Sequence, residues 1–135
     1  MSQYWLVKTE SSEYSFDDLE RERKTVWSGV SNNLALIHLR SMRKGDRVLV
    51  YHTGKEKAIV GIARVASAPY PDPAKHDDRL VVVDLVPEKR LHKPITLEQI
   101  KSDKRFADFP LVRISRLSVM PVTREQWDLL LKMGK

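Results

Sequence analysis

The segment from Arg47 to Ala66 constrains the fold most. Two strand-like runs, 47–53 and 57–66, are separated only by Gly54, Lys55 and Glu56. That spacing suits an antiparallel hairpin and leaves no room for a crossover helix. Gly61 inside the second run marks a bulge or a close approach of another group to the backbone. Further strands are expected at Tyr4–Lys8, at Leu80–Val86 and at Leu111–Val119. Pro69, Pro71 and Pro73 form a stiff connector unsuited to a central strand.

Helix signals lie between these runs. Ser15 with Asp18, Thr96 with Gln99 and Thr123 with Gln126 have the spacing of capping boxes. Arg21 to Lys24 reads as a charged connector, and 27–33 as a turn-prone stretch. Ser31 or Asn32 is expected to cap a helix in which Leu34, Ile37 and His38 share one face. Arg40, Arg43 and Lys44 fall late in that helix, and Gly45 is expected to stop it. No β-α-β rhythm runs through the chain. The expectation is an α+β fold: a small mixed, mainly antiparallel sheet curled into a barrel, with short helices covering its openings. With 135 residues and no linker or repeat, the reading is one domain, 1–135.

Several functions lack their residues. No cysteine is present, so thiol nucleophiles, disulfides and zinc–thiolate sites are absent, and a reducing cytoplasm is the expected compartment. No GxxxxGK loop, HExxH helix or nucleophile elbow occurs. His38, His52, His76 and His92 show no ligand spacing, and Asp72, Asp77, Asp78 and Asp84 read as solvated carboxylates. The expectation is therefore no enzyme, no metal and no cofactor. No apolar run reaches 18 residues, and MSQYWLVKTES lacks a leader's basic start and long apolar core, so no membrane partner is expected.

A net charge of +6 favours a polyanionic partner. Trp27 precedes a glycine and two carboxamides, Asn32 and Asn33. An indole can stack on a base while a carboxamide reads its edge. The small neighbours Ser28, Gly29 and Ser31 suggest that the indole keeps one face open. Lys44, Arg47, Lys55, Lys57 and Arg113 are the expected phosphate contacts, with Arg116 another basic residue nearby.

The chain also resembles a known family, the EVE domain, kin to YTH domains within the PUA-like superfamily. The resemblance is carried by YWLVKTE at 4–10, TVWSGV at 25–30, LRSMRKGDRVLVYHTG at 39–54, IVGIARV at 59–65, YPDP at 70–73 and RISRLSVMPVTREQW at 113–127. It implies a PUA-like barrel whose pocket accepts a flipped modified base, modified cytosine in DNA or a modified base in RNA. By position it implies a pocket built from Trp27, Asn32, Lys8, Glu10, Tyr51, His52, Arg116, Leu117 and Ser118. Ser28 and Ser31 stand where the family usually has an acidic and a basic residue. The alternative is a non-catalytic protein-interaction or structural module with a degenerate pocket, which exposure of Leu34, Leu36 and Ile37 would favour.

Overall fold

Local signals set most helix starts. In the computed structural model, which describes residues 3–135, Ser15 caps α1 (Phe16–Glu22) with Asp18 completing the box. Thr96 with Gln99 opens α3 (Leu97–Lys101), and Thr123 with Gln126 opens α5 (Arg124–Met133). Asn32 caps α2 (Asn33–Arg40). Met1 and Ser2, part of the stretch read as no leader, lie outside the described residues.

The strands are β1 (Tyr4–Glu10), β2 (Thr25–Trp27), β3 (Arg47–Thr53), β4 (Ala58–Val65), β5 (Tyr70–Pro71), β6 (Val81–Thr96) and β7 (Val119–Val122). Their order is β2-β6-β4-β3-β1-β7, with β5 paired to β6. All pairs are antiparallel except β1 with β3. The end strands β2 and β7 do not pair with each other, and α2 packs on both β6 and β7. The sheet is thus an open, curled half-barrel with a helix across its mouth, the α+β arrangement expected.

The hairpin forms as expected, and Gly61 has both roles. The ladder shifts register between Ile59 and Gly61, and a methyl group there would meet the Phe16 ring at 2.5 Å. That close approach seats α1 on the sheet. At the other end of the chain, Trp127 of α5 is 2% exposed and stacks on Tyr4 with ring centroids 4.5 Å apart. Each buried side chain of this size contributes roughly 1.5–3 kcal/mol.

Four expectations are corrected. Residues 111–119 are not one strand: Pro110 opens a short helix, α4 (Pro110–Arg113), and only Val119 joins β7. Proline at a first helical position loses no bond there, and Phe106, Phe109 and Leu111 bury around it, which overrides the alternation. β6 extends ten residues past the expected strand, because Pro87 and Pro94 fall at or beside breaks in its ladder with β4, where a missing N–H does little harm. α2 ends at Arg40 under Ser41, so Gly45 (φ +97°) shapes the next turn instead. Its buried face is Ala35, Leu36 and Leu39, leaving Leu34 and Ile37 40% and 54% exposed. The fourth is β2 itself, an unexpected strand that starts just after the connector 21–24 and takes in Trp27, expected in a turn-prone stretch.

Candidate nucleic-acid interface

At one end of the parallel pair, Glu10 stands opposite Thr53. The chain then turns tightly, with the Glu13 and Tyr14 amides both donating to the Glu10 carbonyl at 2.9 Å. The Thr9 hydroxyl donates to the Tyr14 carbonyl at 2.7 Å. The start of α1 is pinned from below: the Phe16 N–H donates to His52 Nε2 at 3.0 Å. Because Nε2 accepts, the ring proton sits on Nδ1, which donates to Glu56 at 2.9 Å. This fixes Glu13 and Tyr14 over one side of an opening. β2 supplies the facing wall, with Trp27 held opposite Val83 of β6. Gly29, at φ +81°, turns the chain back below it. Ser118, just ahead of β7, closes the third side, where the Lys8 N–H donates to its carbonyl at 2.9 Å.

These walls enclose a cleft of about 440 Å³, within the range of ligand sites, roughly 300–1,000 Å³. Trp27 forms its aromatic wall, with the Tyr14 ring set edge-on at 6.2 Å. The Tyr14 hydroxyl donates to Glu22 at 2.7 Å, and burial with this carboxylate pushes the phenol up to about 12. The charged groups are Lys8, Glu10 and Glu13. Burial lowers the Lys8 pKa, and its ammonium uses one proton on the Ser115 carbonyl at 2.8 Å. Among the described residues the Glu10 carboxylate has only long contacts, 3.3 Å to Ser12 and 3.4 Å to the Thr53 hydroxyl. Both groups keep hydrogen-bonding capacity for a ligand.

Of the residues expected in a base pocket, Trp27, Lys8, Glu10 and Ser118 meet here. Asn32 does not: its side-chain oxygen accepts from the Ala35 N–H at 3.0 Å, as a helix cap. His52 is 5% exposed and anchors α1, and Leu117 is 2% exposed in the core. Tyr51 lines a neighbouring cleft on the far side of Lys8, and Arg116 is exposed outside both. Trp27 itself is 7% exposed, not half open, because Tyr14 covers what its small sequence neighbours leave bare.

The expected phosphate contacts divide. Lys57 lines the neighbouring cleft, Lys55 is exposed in the same turn, and Arg113 is exposed with Asp108 at 3.4 Å. Lys44 and Arg47 lie at the opposite end of the sheet, since Arg47 pairs with Tyr4 while Thr53 pairs with Glu10. That separation is roughly 20 Å of strand, and Arg47 is engaged by Glu88 at 3.3 Å. Glu13 and Tyr14 were not legible as site residues; SSEYSF announces a helix cap and nothing more. Among the described residues no group of three or more His, Asp or Glu side chains is placed to hold a metal, and no helix is long and apolar enough to cross a membrane.

Comparison with known proteins places these features in a lineage. The model of the EVE domain matches residues 3–133. Thymocyte nuclear protein 1 of Rattus norvegicus is 28% identical, the match covering 98% of this chain and 74% of the relative. A protein of Rhodopseudomonas palustris, solved by NMR, is 44% identical with a TM-score of 0.93, over 98% of this chain and 92% of that one. The human THYN1 protein, crystallised with DNA containing 5-methylcytosine, is 26% identical with a TM-score of 0.91, over 99% and 98% of the two chains. The expectation of a cytoplasmic protein is overturned by the thymocyte nuclear proteins among these relatives, whose name is nuclear and whose human member was crystallised with DNA. The absence of cysteine was a poor guide, because it does not tell one reducing compartment from another.

Proposed function

The chain belongs to the EVE domain family, and from that premise we propose that it is a non-catalytic reader of modified cytosine in DNA. A base turned out of the stack enters the cleft beside Trp27. The carrying observation is that this cleft is open and keeps unspent polar groups next to an aromatic wall. A carboxylate accepts well from the exocyclic amine of cytosine, which is the role assigned to Glu10. The two protons left on the Lys8 ammonium suit a base carbonyl or a phosphate oxygen. Val26 and Val30 offer apolar surface for a methyl group. The DNA-bound human relative supports cytosine in DNA over other bases. Unstacking a base costs a few kcal/mol, and aromatic contact at about 1–3 kcal/mol offsets much of it.

The reading is tested by titrating the protein with matched oligonucleotides, single- and double-stranded DNA and RNA, carrying 5-methylcytosine or cytosine at one position. Methylated DNA is expected to bind about tenfold more tightly, equivalent to about 1.4 kcal/mol. Equal affinity for modified and unmodified strands would sink it.

A second reading, docking to a protein partner, is favoured by exposure of Leu34 and Ile37 on α2. Leu36, the third residue that would have supported it, is buried. Binding that ignores nucleic acid altogether would shift the balance to this module.

A further inference from the structure

Beside the base cleft lies a second one of about 270 Å³, and Lys8 lines both. Three cations converge on it: Lys8 from β1, Lys57 from the β3–β4 turn and Lys101 from the end of α3. No aspartate or glutamate lines it. Among the described residues none of the three lysines has a carboxylate within 4 Å. The backbones that carry two of them are tied together. The Lys57 carbonyl accepts from the Leu97 N–H at 2.7 Å, which ties the turn to α3. Lys57 takes φ +46° to do so, a left-handed conformation uncommon for a residue with a side chain. Lys57 and Lys101 also line the next concavity, where Glu56 and Glu98 stand among the lysines, so the lining free of carboxylates belongs to the side they share with Lys8. The lining thus carries three positive charges and no negative one.

We infer that this second cleft binds a backbone phosphodiester flanking the base, with Lys57 and Lys101 gripping it and Lys8 bridging the two subsites. Ser115 and Thr53 supply polar atoms on its rim. The inference rests on reading the first cleft as a nucleic-acid site. It separates the two tasks: one cleft reads the base, and the other grips the chain without reading it.

The test is a Lys57→Gln, Lys101→Gln double variant, titrated with methylated and unmethylated oligonucleotides between 50 and 200 mM salt. Both side chains are exposed, so the fold is retained. Affinity is expected to fall by the same factor for both oligonucleotides. The slope of log affinity against log salt should flatten by about 1 for each lysine that no longer neutralises a phosphate, and the Lys→Arg pair should restore it. Arg64→Gln, which removes one exposed charge next to Glu88 at the far end of the sheet, should leave the slope unchanged. An unmoved slope in the double variant, or an equal flattening per charge in the Arg64 variant, overturns the phosphate site. If the slope responds as expected but the wild type does not prefer the methylated strand, the phosphate site stands and the base reading falls. If the preference is present and the slope does not move, the reverse holds.

Discussion

Asp46 and Glu10 sit at opposite ends of the same parallel strand pair, and the fold treats them differently. Asp46 is 2% exposed and accepts three N–H groups: Gln3 and Arg43 from the backbone and the Trp5 indole, all at 2.9–3.0 Å. Its capacity is spent on joining β1 to the turn before β3. Glu10 is half-buried, and its contacts at 3.3–3.4 Å are too long to satisfy it. One carboxylate is finished by the protein, and the other is left with room for a ligand. Charge and residue type do not separate an acid satisfied by the fold from one left open, whereas the number of short donors already in place does.

Replacing Asp46 with Ala tests the closed end and should have the largest effect. It strands three donors in or near the core, and about 3–5 kcal/mol of stability should be lost, read by urea denaturation. The protein that remains folded should keep its affinity for methylated DNA. Trp27 blurs the comparison, because it is a cleft wall and yet almost fully buried. Trp27→Ala should cost about 3 kcal/mol of stability, the low end for a tryptophan because its site opens onto solvent. Binding should also fall in the folded fraction, and a stability loss with unchanged affinity would return Trp27 to the core alone. Glu10→Gln should move stability least, by no more than about 0.5 kcal/mol. Its effect belongs in the discrimination between cytosine and other bases, about 1–3 kcal/mol. If Glu10→Gln unfolds the protein and leaves discrimination intact, the two carboxylates are not opposites.

The legible parts of the molecule were those whose cause is local. Ser15, Thr96 and Thr123 announce their helices because the cap bonds span three residues, and the 47–66 hairpin is announced by its turn. β2 went unseen because Thr25–Trp27 is a strand only by virtue of β6, more than fifty residues away. The run 111–119 alternates like a strand, but Phe106 and Phe109 decide its fate by burying. In the site, Trp27 was legible as an indole beside a glycine and two carboxamides, Lys8, Glu10 and Ser118 came from family resemblance, and composition alone pointed only to a polyanion. Tyr14 and Glu13 carry no linear signal, since a turn held by the Glu10 carbonyl brings them over Trp27. His52 and Asn32 were legible as polar residues near the site, but the structure spends both on holding helices in place.

The position of β1 between β3 and β7 has a consequence for the order of events on the ribosome. Tyr4 pairs with Arg47 on one side and Val122 on the other, so the earliest of these strands to be made is among the last to be completed. Such distant pairings slow folding relative to helices and hairpins, which close locally. The 47–66 hairpin can form early, while β1 waits with one edge bare. Lys8 and Ser118, joined through their backbones at 2.9 Å, stand far apart along the chain. A nascent chain stalled before Ser118 would therefore carry Trp27, Glu10 and Lys8 and still lack one side of the cleft. That side is added last, when Ser118 and the strand behind it dock against β1.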